Sequence, residues 1–439
     1  MRRRAPGGGR SSRRLAPILA TAAALLFLGG MAHAQGTLPS QGPLPQEAAG
    51  FAERARSFLG YGAMLLLALV FSTDRRRIPW RVVGWGVFLQ FAFGFLVLNT
   101  AFARPFFDGV GSVFVRLLAF TKEGATFVLG GLAVPPEAGG TFGFIFVSQV
   151  LPTIIFFASL MAVLYHLGVM QLVVGGVAKV MQVTMGTSGA ETLSAAANIF
   201  VGQTEAPLLV RPFVGKMTRS ELMAVMVGGF ATIAGGVMAS YIALLQNRFP
   251  DIAGHLLAAS VMNAPAGLLL AKMMVPEEGV PETRGKLKIH VERLDPNVIG
   301  AAARGAGEGM TLVLNVGAML LAFVALVALL NSLLGWGGGL FGAPGLTLQS
   351  LLGNVLRPVA WILGANWTDA SEVGNLMGVK IFLTEFTAYS QFADGLRTGT
   401  LVLTERSVTI ASYALLGFAN VASIGIQIGG GTSPGSACA

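Results

Sequence analysis

Three stretches of this chain contain no Asp, Glu, Lys or Arg: Leu222–Asn247, Thr311–Ser350 and Ser407–Ala439. Each exceeds the roughly 20 residues that a helix needs to cross a bilayer. Backbone groups inside a membrane must satisfy one another, so runs of this kind fold as spanning helices. Composition agrees, with 54% hydrophobic and only 12% charged residues against about 45–50% and 25% in soluble domains. The 59 glycines fit as well, because glycine is commoner in membrane helices than in soluble ones. The expected class is an all-α polytopic membrane protein.

The formal charge of +9 comes mainly from one place. Arg2, Arg3, Arg4, Arg10, Arg13 and Arg14 account for six of it, leaving 9 − 6 = +3 for the remaining chain. That distribution argues against a nucleic-acid partner. The single Cys438 sits near the end, which excludes an internal disulfide framework and a cysteine metal cluster. The basic start precedes an apolar run, Leu15–Gly30, and then Ala32-His33-Ala34. This is the layout of a secretory signal peptide cut after Ala34, or of an uncleaved leader helix. On either reading Phe58–Ser72 crosses inward to meet Arg75, Arg76, Arg77 and Arg81, as the positive-inside rule requires. The expected location is a bacterial inner membrane.

The chain divides into a leader (1–34), a periplasmic linker (35–57), N-terminal membrane helices (58–135) and a first transport repeat (136–275). A charged loop (276–297), a second repeat (298–430) and an atypical tail (431–439) follow. Plain spans are expected at Phe58–Ser72, Trp80–Leu98, Phe142–Leu167, Leu222–Asn247 and Thr311–Leu334, with Phe106–Leu132 partly interfacial. Thr187–Pro212 and Gly378–Leu396 are apolar but studded with polar residues, and Ile252–Val275 is expected to break at Asn263-Ala264-Pro265-Ala266-Gly267.

An internal repeat narrows the function. Thr204-Glu205 is followed by Gly229-Phe230-Ala231-Thr232-Ile233-Ala234, and Thr384-Glu385 by Gly417-Phe418-Ala419-Asn420-Val421-Ala422. Paired interrupted segments in two halves point to a transporter site at a repeat interface. An ionisable residue deep in a membrane helix costs at least about 2.5–3.5 kcal/mol, so Glu205 and Glu385 are expected to serve a substrate, an ion or a partner residue. A carboxylate accepting from sugar hydroxyls gains about 1.5–3 kcal/mol per charge-assisted bond. Gln203 and Asn420 suit the edge of a heterocycle, and Phe418 suits stacking on a ring or plain packing. Asn198 and Thr232 offer small oxygens, and broken backbone near Val201 and Ile233 offers carbonyls, a combination fit for Na⁺ or for ordinary helix–helix hydrogen bonds. His166 and His255 are isolated, and neither a His-Glu-x-x-His motif nor a phosphate-binding loop occurs, so neither zinc hydrolysis nor ATP drive is supported. Glu308 and Lys380 adjoin apolar runs and read as interface-snorkelling side chains.

At these residues the chain resembles the concentrative nucleoside transporters. The resemblance lies in Ser194–Leu209 with its Gly-Gln-Thr-Glu-Ala-Pro-Leu core, Gly228–Tyr241, Ser260–Pro276, Asn297–Asn315, Gly378–Tyr389 and Ser412–Gly430. It implies an inverted-repeat core with two re-entrant helical hairpins and discontinuous helices, a homotrimer, and inward co-transport of nucleosides with Na⁺ or, alternatively, H⁺. It further implies that Gln203, Thr204 and Glu205 contact the nucleobase side with Val237 beside them. Glu385 then holds the ribose hydroxyls, Phe418, Asn420 and Ser423 add contacts, and Asn198, Val201, Thr232 and Ile233 hold Na⁺. No cofactor is implied. The second hairpin departs from the family pattern in Thr384 and Thr387, where Asn and Val are usual, and Thr232 replaces a serine; altered affinity or selectivity is expected. After Gly430 the family continues into a further helix, whereas this chain reads Gly431–Ala439, and a truncated or frame-shifted end with a weakened fold or trimer is the expectation. The alternatives are uptake of another sugar-containing solute and a membrane-embedded hydrolase. The hydrolase requires the Glu205 and Glu385 carboxyls within about 10 Å. An ion channel is disfavoured, since channels use rings of charge.

Overall fold

The computed structural model describes residues 50–99, 103–135, 138–203, 205–285, 295–340, 342 and 345–429. The leader, most of the linker, Thr204, much of the charged loop and the tail therefore lie outside the described residues.

Among the described residues every regular element is helical. Helices α1 (Phe51–Val70), α2 (Trp80–Asn99) and α3 (Ala103–Leu129) come first. Then α4 (Phe146–Gln149) leads into α5 (Pro152–His166), followed by α6 (Val169–Met185). A hairpin is built from α7 (Gly189–Ala197), an unwound turn, α8 (Ala206–Leu209) and α9 (Arg211–Val214). A broken helix, α10 (Arg219–Ala231) and α11 (Gly235–Leu245), leads to α12 (Ile252–Met274). The second half repeats the order: long α13 (Val298–Leu340), α14 (Leu348–Leu363), a hairpin of α15 (Ala370–Phe382) and α16 (Glu385–Thr398), and a broken helix α17 (Glu405–Leu415) and α18 (Val421–Gly429).

Local chemistry sets these boundaries. Ser188, Thr218, Thr347, Thr384 and Thr404 each accept a backbone N–H in the first turn of the helix they precede, which satisfies a donor that has no partner within the helix. Gly186, Gly364 and Gly399 end α6, α14 and α16 in the left-handed region, a conformation that glycine adopts without steric cost.

Among the described residues four helical stretches are long and apolar enough to cross a bilayer: Phe146–His166, Arg219–Leu245, Ile252–Met274 and Val298–Leu340. At 1.5 Å per residue α13 extends roughly 65 Å, about twice the hydrocarbon thickness. It lies along α5, where a Cβ on Gly305 would stand 2.7 Å from the Ala158 carbonyl and one on Gly309 2.8 Å from Ile155 Cα. Small residues thus let two membrane helices come into backbone contact. The Ser159 hydroxyl, donating to the Ala302 carbonyl at 2.9 Å, pins the crossing.

The expected break in Ile252–Val275 does not occur, and α12 runs unbroken through Pro265. Its apolar flanks are packed: Ala264, Leu268 and Ala271 join Met181, Ile199 and Ala224 in one buried cluster. Proline is tolerated inside such a helix where neighbours hold the surrounding backbone. Here tertiary packing outweighs the local signal. Asn263 turns outward from the helix and donates to the Ala231 carbonyl at 2.6 Å, where α10 ends.

A buried ionic cluster fixes the base of the first hairpin. Lys272, near the end of α12, pairs with Glu191 of α7 at 2.7 Å and with Glu277 at 3.0 Å. Ser188 donates to Glu221 at 2.6 Å, joining the starts of α7 and α10. Lys272→Met strands the Glu191 carboxylate, so a loss of about 3–5 kcal/mol is expected. It is measured as a fall in the unfolding temperature of the detergent-purified protein. Adding Glu191→Gln should restore much of it, and an unchanged unfolding temperature in the single variant would remove the pair from the stability argument.

Candidate functional site

Both hairpin turns and both helix breaks converge. Backbone N–H of Gly235, at the start of α11, donates to the Phe200 carbonyl in the first hairpin turn at 2.9 Å. Gly417, in the α17–α18 break, has φ +100°. A Cβ there would fall 2.6 Å from the Phe230 carbonyl and 2.9 Å from that of Ala231, so the two broken helices touch through a position that only glycine can fill. Lys380 of α15 donates to the carbonyls of Ala414 and Leu416 at 3.0 and 2.9 Å. These are carbonyls at the end of α17 with no helical N–H to accept from. Lys380 is buried. The snorkelling reading of this residue is therefore corrected: its ammonium closes a helix end in the interior, which offsets the cost of burial. Glu308, by contrast, is exposed and paired with Arg304 at 2.7 Å.

One polar chain then links the two halves. Glu385 is the first residue of α16, behind the Thr384 cap. Its carboxylate accepts from Asn420 Nδ2 at 2.5 Å and from Tyr241 OH at 3.5 Å. Asn420 caps α18, its Oδ1 accepting from the Ser423 N–H at 2.7 Å. Ser423 Oγ accepts from Gln203 Nε2 at 3.0 Å, and Gln203 Oε1 accepts from Gln427 Nε2 at 3.0 Å. Beneath it Tyr241 stacks on Tyr389 with centroids 3.9 Å apart and meets Phe386 edge-on. Val237 lies buried in the same apolar cluster and Phe418 packs half-buried against it. Glu205 stands apart: it is exposed, and its carboxylate accepts from the Gly202 N–H at 3.2 Å within its own turn. Thr204 lies outside the described residues.

Of the four positions read as an ion site, Asn198 and Thr232 lie against the same glycine, Gly228 of α10. Asn198 and Val201 lie on the first hairpin turn, Thr232 and Ile233 on the break between α10 and α11. Thr232 has extended backbone and its hydroxyl donates to the Gly228 carbonyl at 2.8 Å. The Asn198 amide lies against Gly228, where an added Cβ would be 3.3 Å from Nδ2. Asn198 is 0% exposed, and neither Oδ1 nor Nδ2 has a hydrogen-bond partner. The Ser194 hydroxyl, one turn earlier, is also buried and unpartnered. Buried amides are almost always hydrogen-bonded, so Asn198 and Ser194 carry hydrogen-bonding capacity that the described residues do not use. Oxygens of Asn and Thr with unwound carbonyls match the needs of a small hard cation.

Three residues escaped sequence reasoning. Tyr241 and Gln427 sit in apolar runs whose hydrogen-bond partners are 144 and 224 residues away, and nothing local marks them. Ser194 precedes Asn198 by four residues, a spacing that places both on one helix face, and that signal was available.

Known proteins resemble this chain along most of its length. A model described as Na⁺-dependent nucleoside transporter N-terminus matches residues 59–132, its C-terminal counterpart residues 255–433, and a nucleoside-recognition gate model residues 147–248. An uncharacterized transporter of Haemophilus influenzae is 44% identical over 383 residues, covering 85% of this chain and 88% of that protein. Sodium/nucleoside cotransporter 1 of Mus musculus is 41% identical over 393 residues, covering 87% of this chain, which spans 59% of the mouse protein. The structure of CNTnw in an inward-facing, substrate-bound state superposes with a TM-score of 0.81 at 42% identity, covering 88% of this chain and 91% of that one. A doubly substituted variant of CNTnw in an outward-facing state gives 0.83 at 42% identity over 89% and 93%.

Proposed function

The chain belongs to the Na⁺-dependent nucleoside transporter family, and from that premise we propose that it imports nucleosides by symport with Na⁺ through alternating access. It works as a multi-pass protein of a bacterial inner membrane, in keeping with its apolar spans and its Haemophilus influenzae relative. Relatives named as sodium/nucleoside cotransporters and a related structure in inward- and outward-facing states support the coupling and the cycle.

The observation that carries this reading is the pairing of two features at one junction. A polar chain from Glu385 to Gln203 crosses between the repeats, and an unpartnered buried amide lies behind the same hairpin turn. In the proposed cycle Na⁺ is taken by the side-chain oxygens of Asn198 and Thr232 and by the carbonyls of Val201 and Ile233. Its binding orders the first hairpin turn, which carries Gln203, Thr204 and Glu205. The nucleoside then sits with its ribose hydroxyls on Glu385, its base towards Gln203, Thr204 and Glu205, and Val237, Phe418, Asn420 and Ser423 around it. The homotrimer implied by the family resemblance belongs to the same proposal.

Reconstituted protein should accumulate labelled uridine or adenosine under an imposed Na⁺ gradient and much less under a proton gradient. Drive by protons alone would keep the transporter and discard the cation assignment at Asn198. Absence of accumulation under both gradients would sink the nucleoside symport reading.

A further inference from the structure

Hydrogen-bond direction propagates along the polar chain from groups that have no choice. A backbone carbonyl only accepts, so the Gln427 atom 3.3 Å from the Met226 oxygen is its amide nitrogen. The same nitrogen stands 3.0 Å from Gln203 and must meet an acceptor, which sets Gln203 Oε1 on that side. Gln203 Nε2 then points the other way, to Ser423 Oγ at 3.0 Å. From the opposite end, the Ser423 N–H only donates and the Glu385 carboxylate only accepts, so Asn420 is fixed as well. Turning the Gln203 amide over would oppose two NH₂ groups in a buried setting, the costliest kind of mismatch.

The space around the pair is equally determined. A Cβ at Gly229 would lie 2.8 Å from Gln427 Nε2 and 3.0 Å from Gln203 Cβ. The two amides therefore fill the room left by that glycine and have little freedom to slide. Gln427 is buried against α10, on the far side of Gln203 from Ser423.

We propose that Gln427 is a specificity-determining residue: it fixes the Gln203 amide with its N–H groups towards the nucleobase, so that the site selects bases presenting an oxo group over bases presenting an amino group. The inference rests on the nucleoside reading above and deepens it. Gln203 Nε2 has a second N–H, and Ser423 Oγ, already accepting, has a hydrogen to give. A base edge with an acceptor completes both, whereas an exocyclic amino group meets donors with a donor. Sites that read substrates by hydrogen bonds discriminate strongly against the mismatched group.

The test measures binding, so that it does not depend on coupled transport. Full-length protein purified in detergent is titrated with uridine, cytidine, inosine and adenosine, and affinity is read by ligand-induced thermal stabilisation. The parent should bind each oxo nucleoside about tenfold more tightly than its amino counterpart, uridine over cytidine and inosine over adenosine. Gln427→Glu, assayed at alkaline pH so that its carboxylate is ionised, presents only acceptors to Gln203, which turns the Gln203 amide, and the preference should invert. Gln427→Met directs neither orientation, and the ratio should approach one. Should the glutamate variant fail to fold, the methionine variant alone decides. A purely structural role would weaken all four nucleosides alike, and an unchanged ratio in either variant overturns the proposal, as does a parent without oxo preference. A parent that binds none of the four overturns the nucleoside reading itself, and this inference with it.

Discussion

Glu385→Gln should lower the initial rate of nucleoside uptake by at least about a hundredfold, while any uptake of the free base, which has no ribose to contact, changes little. The carboxylate is 6% exposed and opens α16, where the helix dipole favours negative charge. Asn420 Nδ2 and Tyr241 OH hold it in place, and their second-repeat and first-repeat origins tie it to both halves. A carboxylate accepts from two neighbouring ribose hydroxyls at about 1.5–3 kcal/mol each, or about 3–6 kcal/mol together. Every 1.4 kcal/mol is tenfold, so removal of both bonds would cost two to four orders of magnitude. The amide keeps one acceptor and loses the charge, which puts the expectation at the lower end. It also brings an NH₂ group that can face Asn420 Nδ2 and disturb the neighbouring contact. Uridine and uracil uptake by parent and variant, with unfolding temperatures as a control on folding, check this. Equal uridine uptake by the two would end the ribose-recognition role of Glu385.

What could be read in advance, and what could not, follows from the range of the interactions. Glu205, the Thr384-Glu385 pair and the two Gly-Phe-Ala motifs are local signals, and the structure does put a hairpin turn or a helix break at each. The breaks are not in identical register: the first covers Thr232–Ala234 and the second Leu416–Asn420. A single motif cannot fix the residue at which a helix unwinds, because that depends on which carbonyls find other partners. Lys380 shows the same limit. In sequence it sits in an apolar run like any interfacial lysine, and only the end of α17, 34 residues later, gives its ammonium something to close. Pro265 shows the reverse error, a strong local breaker overruled by the packing of the helix that contains it. Gln427 had no local signal, since its meaning lies in the direction of a hydrogen bond to a residue 224 positions earlier.

Asn198→Leu should separate stability from coupling, moving them in opposite directions. The Asn198 amide is fully buried with both polar atoms unpartnered. An unsatisfied buried group costs about 1–3 kcal/mol, and a leucine of similar shape removes that cost. The variant should therefore unfold at the same temperature as the parent or higher when Na⁺ is replaced by choline. Na⁺ stabilises the parent by mass action, about 2.7 kcal/mol at a hundredfold excess over its dissociation constant, and the variant should lose this gain. Uptake driven by a Na⁺ gradient should fall with it, by tenfold or more, because the first hairpin turn is no longer ordered by the ion. An amide with a structural role alone predicts the contrary pattern: lower stability in choline and an intact response to Na⁺. Retention of the Na⁺-dependent rise in unfolding temperature by Asn198→Leu would mean that the cation binds elsewhere. The unpartnered amide would then have to be understood as a cost carried for some other step of the cycle.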